Sequence, residues 1–366
     1  MRVAIVHYWL VTMAGGEKVL EALCRMYPQA DLFTHVVDRT RLSEVITSHN
    51  IQTTFINRLP GSKKHYARYL PLMPLALEQL DLTGYDLVIS SESGPAKGVI
   101  TRATTPHICY CHSPMRYLWD SWAEYLENAG LITQCGMRLL LPGLRRWDLA
   151  SSFRVDHFVA NSRTVARRIR KHWRRDAAVV HPPVDLTAHH LRAQQQGEHY
   201  ICLGRLTGYK RVDLAVEACT RLSRPLVVIG EGEEMENLKK IAGPTIRFLG
   251  RLNDQEAQAV LARSKALIFP GEEDFGIVPL EAMATGVPVL AYARGGATET
   301  VVDGVTGLFF NEQTVEAVEA AIVDFENREA SFDLHALRSH AENFSEERFR
   351  REINKEVEAA SAAVAR

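Results

Sequence analysis

The chain has 366 residues, 46% of them hydrophobic and 24% charged, which excludes a disordered, collagen-like or coiled-coil protein and suits two domains of roughly 150 residues or more. The formal net charge of −1 conceals a division: residues 1–190 carry 23 Lys+Arg against 16 Asp+Glu, and residues 191–366 carry 20 against 28. A basic first half points to an anionic partner such as a phosphate, a nucleic acid or a membrane surface.

Residues 2–7 form a continuous apolar run of strand type. Met13-Ala-Gly-Gly-Glu-Lys18 follows, and then Val19, Leu20, Leu23 and Met26 recur at helical spacing. Strand, glycine turn and helix make the opening unit of an α/β fold. Short buried strands are predicted at 32–37, 87–90, 107–110, 157–160 and 178–181, and Asn161-Ser162 caps a helix reaching about residue 173. The first domain spans 1–185. Residues 186–198 are polar, without a period, and read as a linker. The alternation restarts with strands at 200–203, 226–229, 246–249, 266–269, 287–291 and 307–309. Helices fall near 210–221, 233–242, 254–263, 277–285 and 297–302, giving a second doubly wound parallel sheet over 199–344. Residues 345–366 read as a charged helix with Ser345 as N-cap and Glu346 and Glu347 in its first turn. It is expected to pack back on the first domain.

The six cysteines contain no Cys-x-x-Cys pair and sit mostly in apolar runs, the pattern of reduced thiols. Cys109, Cys111 and His112 lack a second cluster to complete a four-ligand metal set. The opening residues are too short and polar for a signal sequence. The longest apolar stretch, 277–293, carries Glu281, Pro279 and Pro288, so no transmembrane helix is expected.

Four motifs carry chemistry. In Pro270-Gly-Glu-Glu-Asp-Phe-Gly-Ile-Val-Pro-Leu-Glu281 a strand ends in an acidic loop and a helix begins. Strand ends of open α/β sheets bind ligands, the first amides of the helix have no partner within it, and Glu273 and Glu281 could accept from paired sugar hydroxyls. Read alone, they could equally be a solvated loop acid and a helix-surface residue. In Gly204-Arg-Leu-Thr-Gly-Tyr-Lys210, Arg205 could grip a diphosphate as a fork and Lys210 as a point charge. Spacing alone also fits two solvated cations. Gly15-Gly16 precedes the first helix and could let a phosphate approach its N-terminus, although many tight turns look alike. Gly230-Glu-Gly-Glu lacks the third glycine of a dinucleotide fingerprint, since Met235 stands there, so it supports a strand-to-helix turn and not NAD binding.

Taken in order, these residues resemble a retaining glycosyltransferase of family 4, also called group 1, with the GT-B fold. Glu273 and Glu281 match its E-x7-E motif within E-x-F-G-x-x-x-x-E-A, and Arg205 and Lys210 match G-R-x-x-x-x-K. Gly230-Glu-Gly-Glu, Phe248-Leu-Gly-Arg-Leu, Gly286-Val-Pro-Val and Gly304-Val-Thr-Gly-Leu match in sequence. The resemblance implies two Rossmann-like doubly wound domains with a cleft between them, the first binding the acceptor and the second a nucleotide-sugar donor. It implies that Arg205 and Lys210 hold the donor diphosphate and that Glu281 accepts from the ribose hydroxyls. Glu273, with the amides of Phe275 and Gly276, would orient the sugar. Ile277 and Arg251 join the donor site, Gly15 and Gly16 approach the phosphate, and His112 lies against the reactive side of the sugar. Asp274 departs from the commonest E-G-F-G form and adds a negative charge beside the sugar.

Residues 58–73 mix cations, tyrosines and apolar residues, a composition suited to an anionic amphiphile: Lys63, Lys64 and Arg68 for phosphates, Tyr66 and Tyr69 beside lipid. Residues 137–147 and 163–175 are also basic; the first also suits a packing helix and the second a solvated helix face. The texture of His65-Tyr-x-x-Tyr-Leu-Pro-Leu, Cys111-His-Ser-Pro-Met-Arg-Tyr-Leu-Trp-Asp120 and His181-Pro-Pro-Val-Asp185 resembles bacterial O-antigen and exopolysaccharide mannosyltransferases. That implies GDP-mannose as donor, a lipid-linked saccharide as acceptor, no cofactor and no nucleic-acid partner. The expected setting is cytoplasmic, peripheral at the inner face of the plasma membrane. The sequence has no D-x-D motif, so metal independence is expected, with cations neutralising the leaving diphosphate. Competing readings are a UDP-sugar transferase with a soluble acceptor, a sugar-nucleotide epimerase and a non-enzymatic binder of anionic polymers. The last leaves Arg205, Lys210, Glu273 and Glu281 unexplained.

Overall fold

The computed structural model describes residues 1–127, 130–193 and 197–364; of the stretches delimited above, 194–196 of the linker and 365–366 of the tail lie outside the described residues. The chain divides into two compact units, one of Met1–His181 with Phe349–Arg366, the other of Pro182–Arg348.

The first unit is built on seven parallel strands: β1 (Val3–His7), β2 (Asp31–Thr34), β3 (Asn50–Thr53), β4 (Leu87–Glu92), β5 (His107–Cys111), β6 (His157–Ala160) and β7 (Ala178–Val179). Their order is β3-β2-β1-β4-β5-β6-β7. Every residue of β1, β4 and β5 is buried, as central parallel strands covered on both faces require. The helix Gly15–Met26 lays Val19, Leu20, Leu23 and Cys24 into the core. β2 stops at Thr34, short of the predicted residue 37: the chain turns at His35, whose buried ring is bonded with Thr54 Oγ1 and Pro95 O. β3 alternates between exposed and half-buried residues, so it has no apolar run by which it could be predicted.

A buried charge cluster ties the long helix Leu131–Ser152 to this sheet. Asp148 pairs with the fully buried Lys97 and accepts from the indole nitrogens of Trp119 and Trp173, each at 2.7 Å. Lys97 Nζ also lies 3.4 Å from Glu92, the last residue of β4. Burial pushes the Glu92 carboxyl up towards its neutral form. Removing one member of such a buried pair costs about 3–5 kcal/mol. The helix Glu346–Val364 contributes Phe349, Ile353 and Ala360 to the core of the first unit.

The second unit has six parallel strands: β8 (His199–Leu203), β9 (Leu226–Ile229), β10 (Ile246–Gly250), β11 (Ser264–Phe269), β12 (Val289–Tyr292) and β13 (Gly307–Phe310). Their order is β10-β9-β8-β11-β12-β13. Alternate strand residues feed the two faces. Val228, Ile268 and Leu290 pack with Val318, Ile322 and Phe325, whereas Val227, Leu267 and Val289 pack with Leu280, Met283 and Leu337. Residues 186–193, in the polar stretch read as a linker, are held on this unit. The Arg192 amide donates to Thr285 O at 3.0 Å, its guanidinium donates to Ser264 O, and Arg338 donates to Leu186 O at 3.0 Å. Among the described residues no helix is long and apolar enough to cross a membrane.

Candidate active site

Each sheet starts at a central strand, grows outward on one side, then returns to build the other side. In the second unit the reversal falls between β8 and β11, and open α/β sheets take ligands outside the carboxyl ends of the strands at such a point. Two loops meet there. After β8 the chain turns at Gly204 and passes through exposed Arg205 to the short 3-10 turn Gly208–Lys210. After β11, residues 270–276 lead into the helix Ile277–Thr285, which begins on Gly276 at φ +79°. Lys210 Nζ lies 2.8 Å from Glu273 Oε1. Burial alone would lower the Lys210 pKa, but Glu273, with Tyr209 and Glu281, outweighs it and holds the pKa above its ordinary value. The site therefore contains a fixed ammonium charge.

Two glycines let these loops close on one another. A Cβ at Gly230, after β9, would sit 1.8 Å from Gly204 O, and one at Gly296, after β12, would sit 2.2 Å from Phe275 Cα. The Gly296 amide donates to Glu273 O at 2.8 Å. Phe275 is buried, Asp274 and Ile277 are half-buried, and Glu281 is buried within the helix with its Oε1 4.0 Å from His189 Nε2. Arg251 is exposed and follows β10, the edge strand two places from β8, which sets it about 10 Å along the rim at ordinary strand spacing. Two cations, helix N-terminal amides and two carboxylates on one rim can bind an anionic group joined to a polyhydroxylated one.

In the first unit the reversal falls between β1 and β4. His7 ends β1 and is the register partner of Ser91 in β4; Ser91 in turn pairs with Tyr110 of β5. His112, two residues beyond Tyr110, shares its face. Ser91 Oγ lies 3.0 Å from His7 Nδ1 and 2.8 Å from His112 Nε2. Glu17 Oε1 lies 3.7 Å from His7 Nε2. All four side chains are buried. Burial, with His7 nearby, pushes the His112 imidazole down to about 3, so it is neutral near pH 7. Gly15 and Gly16 open the adjoining helix and differ sharply. A Cβ at Gly15 would meet open space; one at Gly16 would sit 2.6 Å from Tyr8 Oη and 3.8 Å from His112 Nε2.

Lys63, Lys64 and Arg68 are exposed. Tyr66, expected beside lipid, is half-buried with its ring 4.6 Å from that of Trp9, and Tyr69 Oη donates to Pro60 O at 2.7 Å. The exposed apolar residues nearby are Leu72 and Leu75. The helix Arg163–Trp173 buries Val165, Ile169 and Trp173 and exposes Arg163, Arg167, Arg170 and Lys171, a solvated basic face. In the 137–147 stretch Leu139 and Leu140 are exposed.

His7, Glu17, Ser91 and His189 join the candidate sites without having been singled out from the sequence. A histidine closing an apolar strand and an acid in the first turn of a helix are visible signals. Their meeting depends on the register of β1, β4 and β5. His189 lies in the polar stretch, where nothing periodic marks it.

Residues 13–188 match the family model described as Glycosyltransferase Family 4, and residues 189–347 match Glycosyl transferases group 1. A GDP-mannose-dependent alpha-mannosyltransferase of Mycolicibacterium smegmatis is 26% identical over 329 residues, 88% of this chain and 78% of the relative. A GDP-mannose-dependent alpha-(1-6)-phosphatidylinositol monomannoside mannosyltransferase of the same organism is 33% identical over 142 residues. That match spans 34% of this chain and only 37% of the relative. Among solved structures, Anabaena HepE in complex with UDP superposes with a TM-score of 0.72 at 14% identity, over 98% of this chain and all of the other. Two parallel α/β sheets with this likeness are the GT-B fold, and the matches spanning residues 13–347 establish that the chain belongs to the group 1, family 4 glycosyltransferases.

Proposed function

We propose that the protein is a retaining, metal-independent hexosyltransferase that moves mannose from GDP-mannose to a saccharide carried on a polyprenyl diphosphate, in cell-surface polysaccharide synthesis. The observation that carries this reading is the Lys210–Glu273 pair at the β8/β11 reversal, with Glu281 buried behind it. In this reading Arg205, Lys210 and the N-terminus of the helix Ile277–Thr285 neutralise the departing diphosphate. Glu281 holds the ribose, and Glu273 with the amides of Phe275 and Gly276 orients the sugar. Electrostatic donors preorganised where charge develops are worth several kcal/mol each, about 3–4 in the best-measured cases. A retaining double displacement would need a nucleophilic carboxylate about 5 Å from an acid. The proposed route instead is a front-face displacement in which the leaving phosphate accepts the acceptor's proton.

Mannose and GDP are supported by the name of the relative aligned over 88% of the chain. The test is turnover across GDP-mannose, UDP-glucose and other sugar nucleotides, with and without membrane lipid extract and chelator, followed by NMR of the anomeric product. Chelator-resistant transfer from GDP-mannose with retained configuration is the expected result. Preference for a UDP-sugar without lipid extract would favour the soluble-acceptor alternative, and an inverted product would refute the mechanism.

A further inference from the structure

The first unit holds a chain of four buried polar side chains whose proton positions are constrained by geometry. Ser91 Oγ stands between His7 Nδ1 at 3.0 Å and His112 Nε2 at 2.8 Å. A hydroxyl has one proton to give and two lone pairs with which to accept, so with two neutral rings both bonds form only when at least one of the facing nitrogens carries hydrogen. Glu17 breaks the tie. Its Oε2 accepts the Ala14 amide at 3.0 Å, and it lies in the first turn of the helix Gly15–Met26, where the dipole favours an anion. Its Oε1 faces His7 Nε2 at 3.7 Å. A carboxylate only accepts, so a bare Nε2 would set lone pair against lone pair, whereas Nε2–H is attracted. With the His7 proton on Nε2, Nδ1 must accept from Ser91, and Ser91 must accept from His112. The rings are held in these orientations by aromatic neighbours: Tyr8 lies 4.0 Å from His7 between centroids, and Tyr110 meets His112 edge-on at 5.2 Å.

We infer that Glu17, acting through His7 and Ser91, fixes His112 as the tautomer protonated on Nε2, leaving Nδ1 a hydrogen-bond acceptor for a ligand hydroxyl. The identity of that ligand as a sugar rests on the proposed function; the proton arrangement does not. Glu17, His7 and Ser91 are positioning residues that act through His112. The arrangement makes His112 selective for a donor group, because a bare Nδ1 repels phosphate and carboxylate oxygens and accepts from a hydroxyl.

The experiment is long-range ¹H–¹⁵N NMR of the full chain labelled with ¹⁵N-histidine, comparing wild type with Ser91→Ala, Ser91→Thr and Glu17→Gln. Expected for wild type is a protonated Nε2 and bare Nδ1 on both His7 and His112. Ser91→Thr keeps the hydroxyl and the same tautomers, and Ser91→Ala leaves His112 a mixture. Glu17→Gln keeps the Ala14 bond through its carbonyl and turns an NH₂ towards His7 Nε2, which moves the His7 proton to Nδ1, makes Ser91 an acceptor from His7 and releases His112 to a mixture of tautomers. Finding His112 protonated on Nδ1 in wild type, or the His7 tautomer unmoved by Glu17→Gln, would overturn the inference; the wild-type arm needs no variant to fold. In parallel, kcat/KM for GDP-mannose hydrolysis is expected to fall roughly tenfold in Ser91→Ala and Glu17→Gln, the value of about one hydrogen bond, and to recover in Ser91→Thr. Absence of sugar-nucleotide turnover with the expected tautomers would remove the functional reading and leave the relay standing. Turnover with the opposite tautomer would do the reverse.

Discussion

Lys210 Nζ and Glu273 Oε1 lie 2.8 Å apart although they come from loops after β8 and β11, 63 residues apart in the chain. The pair occupies the reversal point of the second sheet, and its members are each mostly but not wholly buried, with 15% and 17% of their side chains exposed. On the proposed function, a donor diphosphate would share Lys210 with a carboxylate already in place. In the proposed site this keeps the ammonium aimed and charged before substrate arrives.

Lys210→Ala and Arg205→Ala are expected to lower turnover at least 10- to 100-fold, since hydrogen bonds to charged groups contribute roughly 1.5–3 kcal/mol. Lys210→Ala should also cost about 1 kcal/mol of stability, between the values for exposed and buried pairs. Arg205, exposed and without an ion pair among the described residues, should cost almost none. Because the Lys210 pKa is raised, its charge persists through the ordinary lysine range and is lost only above it. Nucleotide affinity should then be level from pH 7 to 9. Steady-state kinetics, urea unfolding and calorimetric titration with GDP check the three in turn; near-normal kinetics in either cation variant would break the site.

Neighbouring glycines should respond oppositely to alanine. Gly15→Ala puts a methyl into open space at the first residue of a helix and is expected to be neutral or to stabilise by a few tenths to 1 kcal/mol. Gly16→Ala drives a Cβ to 2.6 Å from Tyr8 Oη. Tyr8 is buried, so overpacking should cost about 1–3 kcal/mol and displace His112, lowering turnover. Urea unfolding of the two variants decides this, and equal stabilities would contradict the packing around Gly16.

Acid should destabilise the first unit before its carboxylates titrate. Burial pushes His35 and His107 down to about 4 and His112 down to about 3. In the unfolded chain these rings take up protons near pH 6.5, so the stabilisation from keeping them neutral is complete above that pH and is lost as pH falls towards 4. Glu92, raised by burial, acts in the opposite sense by at most one proton. A net uptake of about two protons on unfolding gives a slope of about 3 kcal/mol per pH unit. Urea melts between pH 7 and 4.5 should show it, and His35→Gln should reduce the slope by about one proton's worth, roughly 1.4 kcal/mol per unit.

Much of the second unit was legible because most of its strands are short apolar runs, with β8, β9 and β11 followed directly by glycine or proline; Arg205, Lys210, Glu273 and Glu281 were singled out by motifs, since spacing alone also fits solvated side chains. The first-unit site was legible only at Gly16 and His112. His7 and Ser91 meet through a register between strands separated by 84 residues, and no local pattern encodes that pairing. The same holds for Lys97 and Asp148, 51 residues apart, and for Arg192, whose partners are backbone carbonyls at Ser264 and Thr285. At Tyr66 the sequence shows composition but not packing. An aromatic between cations suits a lipid surface by composition, but its ring packs on Trp9, a contact set by the end of β1.

The cationic surface at Lys63, Lys64 and Arg68 leads to the last prediction, that the first unit docks reversibly on an anionic membrane. All three are exposed, they stand within six residues, and Leu72 and Leu75 expose apolar surface a few residues on. Each cation near an anionic bilayer gains about 1 kcal/mol, so the three together supply a few kcal/mol. With two partly exposed leucines added, this allows docking but not insertion. The attraction is screened by salt over about 8 Å at physiological ionic strength, so binding should weaken markedly between 50 and 300 mM salt. Co-sedimentation with vesicles of phosphatidylglycerol and phosphatidylcholine should capture wild type at low salt and lose most of it for the Lys63/Lys64/Arg68 triple alanine variant. A Leu72→Ala/Leu75→Ala variant should bind more weakly but keep the salt dependence. Equal capture of wild type and the triple variant would move the membrane face elsewhere, with the exposed Leu139 and Leu140 of the helix Leu131–Ser152 the next surface to truncate. No capture of either at low salt would remove membrane docking and favour a soluble acceptor.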